Sequence, residues 1–438
     1  MAKVSLISLG CPKNLVDSEG ALGEVVQAGH EITTSQSGAD VIIVNTCGFI
    51  EDAREESVEA ILNALEYKDS GDCKAVIVIG CLSQRFASEL AAEMPEVDAF
   101  LGVGHAGKIA ETINQALAGK RLVDTPKPAT DWCEHAPRVQ STPPWTAYLK
   151  VSDGCDNRCA YCAIPDIRGR FRSRPEEFII DEARQLADNG VREVVLVGQD
   201  LTQYGADLNR PNALAGLLEK LNGVDGLHWV RLLYCYPSKV TPELIDVIAS
   251  CEKVAKYMDI PIQHGDDNML RAMNRKGSVE QYLRVIDDIR EKIPGIALRS
   301  TFIVGFPGET DAVFENLLRF VGRIRFDRVG AFAYSREEGT PAYSMKPRVS
   351  RKIAADRVKR LMELQQSISF EKNHALIGSR MEVLIEGITE DAAFGRSYRD
   401  APEIDGLVYI PGGQVKLGEF SDVEITEASE YDLVGRIV

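Results

Sequence analysis

A chain of 438 residues, 45% of them hydrophobic, is long enough for about three domains with their own cores. Its 50 basic and 66 acidic residues leave a net charge of −16, which argues against a general nucleic-acid-binding surface and favours basic partners. No apolar run approaches the roughly 18 residues of a membrane span, and the run Val4 to Gly10 leads into Lys13, Asp17 and Glu19 rather than a small-residue cleavage site. A soluble cytoplasmic protein with no membrane partner is therefore expected, and its ten cysteines should be reduced and serve metal or catalysis rather than disulfides.

In chain order, short apolar runs at Val4 to Leu9, Asp40 to Val44, Ala75 to Ile79 and Ala99 to Val103 alternate with amphipathic stretches, which predicts a parallel α/β sheet domain over 1–120. Residues 121–144 are rich in Pro, Thr, Asp and Ser without periodicity and read as a linker. Strand candidates follow at Ala147 to Ser152, Glu193 to Val197, Trp229 to Tyr234, Met258 to Ile262, Arg299 to Val304 and Arg328 to Tyr334, each trailed by a helical pattern. Six such units are too few for an eight-fold barrel, so an open or partial (βα)6 barrel is expected over 145–375, closing with a charged helix from about Arg351 to Ala375. Over 376–438 the period changes to two, as in Met381 to Ile385 and Val423 to Thr426. Gly387, Gly395, Gly406 and Pro411-Gly412-Gly413 interrupt it, as in a small antiparallel β-barrel.

The cysteines fall into two sets. Cys155, Cys159 and Cys162 lie within eight positions directly after the first strand of the second domain. Three thiols on one loop with no fourth Cys or His nearby suit a centre with an open position, and a [4Fe-4S] cluster fits that better than a closed zinc site. Cys11, Cys47 and Cys81 each follow one of the first three strands, so a parallel sheet should gather them at its carboxyl edge; ordinary core thiols would show no such phase. Cys73, Cys133, Cys235 and Cys251 have no matched spacing, and His105, His135, His228 and His264 are isolated. Only His264, beside Gln263, lies where substrate could reach it.

The spacing Cys155-x3-Cys159-x2-Cys162, with Tyr161 before the third cysteine, resembles the signature of the radical S-adenosylmethionine superfamily. That resemblance implies a partial six-unit barrel and a cluster whose open iron is chelated by S-adenosylmethionine, so that reduction releases a radical able to abstract an unactivated hydrogen. It implies cofactor contacts from Tyr161, from Gly198-Gln199-Asp200 after the second strand, from Gln263 after the fourth, and from Gly305 in Ile303-Val304-Gly305-Phe306-Pro307-Gly308-Glu309 after the fifth. Two clusters, a radical core and a terminal barrel together resemble the methylthiotransferase family, built of a flavodoxin-like domain, the radical core and a TRAM barrel of OB-like form. There the second cluster carries the sulfur to be transferred, which also requires a sulfur donor and an electron donor.

The family divides into enzymes acting on an adenosine of tRNA and enzymes acting on an aspartate of the twelfth small-subunit ribosomal protein. Ser8-Leu9-Gly10-Cys11-Pro12-Lys13-Asn14, continuing to Asp17-Ser18-Glu19, and Ile164 to Arg174 both resemble the ribosomal-protein branch. Charge points the same way: from Gly378 to Val438 five basic residues stand against thirteen acidic ones, a net −8 that repels phosphate and attracts a basic protein. The expected substrate is thus the basic ribosomal protein, free or on the ribosomal subunit, and a tRNA partner is not expected. Methylthiolation of tRNA is the alternative within the enzyme class, and a non-catalytic RNA-binding iron-sulfur protein the alternative outside it. The run Arg168 to Arg174 is read as the one basic patch, facing either ribosomal RNA or a carboxylate at the radical site.

Overall fold

The computed structural model describes residues 1–105, 107–128, 132, 138–412 and 414–438. Cys133, His135 and Gly413 lie outside them. The chain separates into two compact units, one of 1–141, 150–179 and 335–343, the other of 142–149, 180–334 and 344–438.

The first unit holds β1 (Lys3–Ser8), α1 (Pro12–Gln27), β2 (Glu31–Ile32), β3 (Val41–Thr46), α2 (Glu51–Asp69), β4 (Ala75–Gly80), α3 (Cys81–Glu93), β5 (Ala99–Leu101), α4 (Ile109–Leu117) and β6 (Leu122–Asp124). The strands form a parallel sheet in the order β2-β1-β3-β4-β5-β6. Alternate residues of β3 and β4 go to opposite faces: Val41, Ile43 and Ile77 pack with Ala21, Val25, Ile109 and Ile113 of α1 and α4. Ile42, Val44, Val76 and Val78 pack with Ile61, Leu65, Leu82 and Ala87 of α2 and α3. Strands buried on both faces explain why these runs are continuously apolar. Because α1 and α2 cover opposite faces, the order reverses between β1 and β3, and the carboxyl ends of these two strands border the crevice that such a switch creates. The two short strands β2 and β6 were not foreseen; β6 extends the sheet into the start of the expected linker.

The chain continues through β7 (Thr146–Lys150), β8 (Ser152–Asp153), α5 (Ile164–Arg168), β9 (Arg172–Ser173), α6 (Glu176–Asp188), β10 (Glu193–Val197), α7 (Ala213–Asn222), β11 (Trp229–Leu232), α8 (Pro242–Ser250), β12 (Val254–Asp259), α9 (Asp267–Ala272), α10 (Val279–Lys292), β13 (Ala297–Val304), α11 (Asp311–Ile324), β14 (Arg328–Ala333) and α12 (Arg351–His374). Strands β7 and β10 to β14 make a second six-stranded sheet in sequential order, parallel from β10 to β14, the partial (βα)6 arrangement. Its fourth strand lies four residues earlier than expected. The apolar stretch Ile260-Pro261-Ile262 looked like its core, but Pro261 has no N–H to donate, and the ladder runs instead through Val254 to Asp259.

Five further strands, β15 (Arg380–Ile388), β16 (Ala392–Ser397), β17 (Val408–Pro411), β18 (Phe420–Ala428) and β19 (Leu433–Ile437), form a closed barrel. Its pairings are antiparallel except β17 with β19, the parallel pair that completes closure. This barrel is fixed to the amino ends of the core strands. Arg396 donates to Glu193 at the start of β10 (2.6 Å), Arg231 of β11 to the Tyr398 carbonyl (2.7 Å), Arg328 at the start of β14 to Asp400 (2.6 Å), and the Tyr257 hydroxyl of β12 to Asp405 (2.7 Å). The opposite, carboxyl ends of the strands are left for ligands. Among the described residues no helix is long and apolar enough to cross a membrane.

Candidate functional site

Cys11, Cys47 and Cys81 follow β1, β3 and β4 at the carboxyl edge of the first sheet. Cys11 is the N-cap of α1, and Cys81 opens α3. The three thiols are free and lie within electrostatic reach of one another. Gly10, at φ +90°, lets the backbone pass over Cys47: a Cβ there would come within 2.8 Å of the Cys47 Cβ. Asn14 ties the edge together, its Nδ2 donating to the carbonyls of Leu9 (2.8 Å) and Thr46 (3.1 Å) while the Cys81 Sγ lies 3.8 Å from its Oδ1.

The same unit contains Cys155, Cys159 and Cys162. Their loop is closed by the antiparallel pair β8 and β9 and by the Cys155 N–H donating to the Gly169 carbonyl (3.2 Å). Gly154 (φ +74°) opens it; a Cβ there would meet the Arg170 carbonyl oxygen at 2.1 Å, so only glycine fits. Cys155 and Cys159 are buried, Cys162 and Tyr161 half-buried. The Cys162 N–H donates to the Cys159 carbonyl at 3.0 Å, a turn that brings the last two cysteines of the motif around.

Arg168, at the end of α5 and 1% exposed, joins the two cysteine sets. Its Nη1 donates to Asp153 beside the Cys155 loop (3.2 Å), and its Nη2 donates to Asp17 (2.9 Å) and Asn14 (3.1 Å) of α1. Lys150 pairs with Asp17, and Arg172 with Asp153 (3.2 Å). Burial opposes ionisation of Asp17, but Lys150 and Arg168 hold its carboxyl below the usual range. Asp153 is likewise lowered against burial, by Arg168, Lys150 and Arg172.

The thiols differ. Burial works against ionisation of Cys11, yet Lys13, Arg168 and the N–H groups of Asn14 and Lys13 together hold it below the ordinary thiol value. Burial pushes Cys47 up to about 11, and Cys81 is also raised by burial, with Arg168 opposing. Of the three thiols, Cys11 is therefore the one whose ionised form its surroundings favour, while burial disfavours that form at Cys47 and Cys81. His105, which follows β5 on the same edge, is buried and pushed down to about 4 by burial; neither ring nitrogen has a hydrogen-bond partner among the described residues.

Of the two directions open to the basic run Arg168 to Arg174, towards RNA or towards a carboxylate at the radical site, these contacts turn most of it inward. Arg168 is buried, Arg172 is paired with Asp153 and Arg174 donates to the Lys150 carbonyl (3.3 Å); only Arg170 is fully exposed. The run turns inward because α5 packs Ile167 and Ala163 against Cys81 and Val103.

The other expected cofactor residues belong to the second unit and sit at the carboxyl ends of its strands. Gly198, Gln199 and Asp200 follow β10, with the Asp200 carboxylate paired to Lys239 at 2.8 Å. Gln263 has φ +77° and bridges to Phe302 of β13, and its buried Oε1 has no hydrogen-bond partner among the described residues. Gly305 (φ +75°) follows β13, its N–H donating to Glu309 at 2.8 Å, where a Cβ would strike Ala354. His264 is fully buried, with Nε2 3.6 Å from Glu309 and neither ring nitrogen hydrogen-bonded among the described residues, so it is not exposed to substrate, contrary to the expectation.

Among the described residues no three His, Cys, Asp or Glu side chains converge on a point the size of a single ion. The ligands of a four-iron cluster are instead held apart by the body of the cluster. The N-terminal set fits such a group on two counts: the thiols are free and mutually close, and the cations around them outnumber the carboxylates, as an anionic thiolate-bound cluster demands.

Family models match this chain as the radical SAM superfamily over residues 149–321, as uncharacterized protein family UPF0004 over 3–102 and as a TRAM domain over 377–438. Among solved structures, the radical S-adenosylmethionine methyltransferase TsrM from Kitasatospora setae superposes with a TM-score of 0.60 at 13% identity, covering 85% of this chain and 90% of that one, a likeness of fold. Fold and cysteine loop together define a radical SAM protein with a terminal TRAM barrel. The ribosomal protein uS12 methylthiotransferase RimO of Heliobacterium modesticaldum is 48% identical over 437 residues, covering 100% of this chain and 95% of that one. The protein of the same name from Trichlorobacter lovleyi is 48% identical over 442 residues, covering 100% and 98%. The chain belongs to the RimO family of ribosomal protein uS12 methylthiotransferases.

Proposed function

We propose that this protein attaches a methylthio group to the β-carbon of an aspartate in ribosomal protein uS12, using S-adenosylmethionine and two [4Fe-4S] clusters, one held by Cys155, Cys159 and Cys162 and the other by Cys11, Cys47 and Cys81. The observation that carries this reading is that all six cysteines lie in one compact unit and that a single buried arginine, Arg168, reaches the surroundings of both sets. When bound, the first cluster with its cofactor supplies a 5′-deoxyadenosyl radical for hydrogen abstraction, and the second supplies the sulfur.

The chain's own residues prepare these events. Gly154 shapes the cysteine loop, and Arg168 with Lys13 favours the Cys11 thiolate. Tyr161, Gly198, Gln199, Asp200, Gln263 and Gly305 are assigned to the cofactor, and the missing side chains at Gly198 and Gly305, at the carboxyl ends of their strands, permit close approach. In this division of labour residues 1–120 carry the sulfur-bearing cluster, 145–375 the radical chemistry and 376–438 the recognition of a basic protein, with 121–144 as linker. A sulfur donor and an electron donor complete the reaction, in the cytoplasm, on free or ribosome-bound uS12.

The similarity to uS12 methylthiotransferases and the −8 charge of the barrel both support a basic protein over tRNA. Reconstituted enzyme, S-adenosylmethionine and a low-potential reductant are incubated separately with uS12 and with isopentenylated tRNA. A methylthio mass gain on the uS12 aspartate is expected; a gain on the tRNA with none on the protein would overturn the reading.

A further inference from the structure

The amino end of the radical core carries a cationic cleft that none of the residues assigned above uses. Gly295 and Ile296 lead into β13 and Asp327 into β14. With Arg290 of α10, Lys372 and Ala375 at the end of α12 and Arg399 beyond β16, they line a space of about 350 Å3.

Three cations there face one carboxylate. Asp327 Oδ1 accepts from both Arg399 (2.6 Å) and Lys372 (3.0 Å), while its Oδ2 is taken by the Leu298 N–H (3.0 Å). Arg290 meets no carboxylate at hydrogen-bond distance among the described residues; it donates to the carbonyls of Ile324 (2.7 Å) and Arg325 (2.9 Å), where the end of α11 offers only a partial negative charge. Nearby acids do not close the balance: Asp287 is exposed, Glu371 is exposed and paired with Arg325, and Asp400, which also acts on Arg399, is paired with Arg328. Arg399 is 7% exposed, and its buried Nε has no hydrogen-bond partner among the described residues. Burial lowers Lys372 and Asp327 acts the other way, with Arg290 and Arg399 adding a smaller opposition to its charge.

We propose that this cleft binds a phosphate-like oxyanion, with oxygens accepting from the Lys372 ammonium and held by the charge of Arg290 and Arg399 beside it. Such an ion would join the barrel, through Arg399, to β13, β14 and α12 of the core. The ion is a free one rather than an RNA phosphodiester, because the −8 barrel beside it repels an extended polyanion.

The test is thermal unfolding of the reconstituted full-length protein against sodium phosphate, with sodium chloride holding ionic strength constant. A saturable rise in Tm of roughly 2–4 °C at about tenfold excess over Kd is expected for the wild type, and its loss in Lys372→Gln and Arg290→Gln. Lys372 is partly exposed, so Lys372→Gln decides the matter even if Arg290→Gln fails to fold. No shift, or an equal shift in wild type and Lys372→Gln, overturns the site. A short single-stranded RNA at matched phosphate concentration is the second ligand; a larger shift with RNA, lost in Lys372→Gln, overturns its assignment to a free ion.

Discussion

Two of the buried ion networks in this protein differ in balance. At the amino end of the core, Glu193 and Glu386 meet Arg231 and Arg396, two charges against two. Burial alone would raise Glu193, but Arg396 and Arg231 bring it down to about 2. Beside the N-terminal cysteines, Asp17 and Asp153 meet Lys150, Arg168 and Arg172, two against three. A balanced network is complete as it stands and fixes geometry. An unbalanced one needs a further anion, and here the thiols stand where that anion belongs. The buried network near a metal site is therefore part of the metal site, and the distant one is architecture.

The largest effect that separates the two comes from the cysteines themselves. Anaerobically reconstituted protein should carry about eight irons per chain, and replacing Cys155, Cys159 and Cys162 by Ala should leave about four and abolish cleavage of S-adenosylmethionine. Replacing Cys11, Cys47 and Cys81 should also leave about four irons, with cofactor cleavage retained and sulfur insertion lost. Wild-type yield of methylthiolated product from that second variant would reduce the N-terminal thiols to a structural role.

Next come the arginines. Removing one partner of a buried pair strands the others, so Arg168→Met and Arg396→Met should each cost about 3–5 kcal/mol in denaturant unfolding. The comparison predicts a split in a second measurement: iron analysis should show loss of the N-terminal cluster in Arg168→Met and two full clusters in folded Arg396→Met. Arg168→Lys, keeping charge without the fork, should retain more iron than Arg168→Met. Equal iron in all three variants would remove Arg168 from the site.

Proton affinity gives a smaller signal. Alkylation requires the thiolate, so in metal-free protein Cys11 should react with iodoacetamide at lower pH than Cys47, although both are half-buried. The sign for stability follows from Cys47, whose folded value is raised. As pH climbs from the ordinary 9.0 to about 11 the unfolded chain ionises first, so metal-free protein should lose stability across that window, and Cys47→Ala should flatten the loss. Peptide mapping by mass spectrometry checks the first claim and pH-dependent denaturation the second.

How much of this was legible in the sequence follows the range of the interactions. The phase of Cys11, Cys47 and Cys81 was readable because a parallel sheet repeats its carboxyl edge once per βα unit, and the Cys155 loop because its ligands are local. The fourth core strand was misplaced because apolarity at Ile260 and Ile262 says nothing of the N–H missing at Pro261. Which way Arg168 faces stayed open in the sequence because its partners, Asp17 and Asn14, lie about 150 positions away in the chain. The attachment of the barrel through Arg231, Tyr257 and Arg328 to residues 396–405 escaped for the same reason: an arginine near a strand start carries no mark of burial until its carboxylate is in place.

The smallest expected effect concerns the barrel, where exposed charge rather than buried charge does the selecting. Glu424 is a poor probe, being half-buried and paired with Arg436 at 3.2 Å, whereas Glu390, Asp422 and Glu427 are exposed. Reversing these three to Lys should change stability by only about 0.5 kcal/mol each, since they touch no core feature. It should slow association with uS12 several-fold, about 3-fold to 10-fold, because complementary charge acts mainly on the encounter rate. The difference between wild type and the reversed variant should shrink as salt rises, with screening over roughly 8 Å at physiological ionic strength. Transfer RNA should bind the reversed variant better than the wild type, as added cations recover phosphate contacts. Stopped-flow association at two salt concentrations checks all three expectations, and an unchanged, salt-independent rate would mean that uS12 is recognised elsewhere on the molecule.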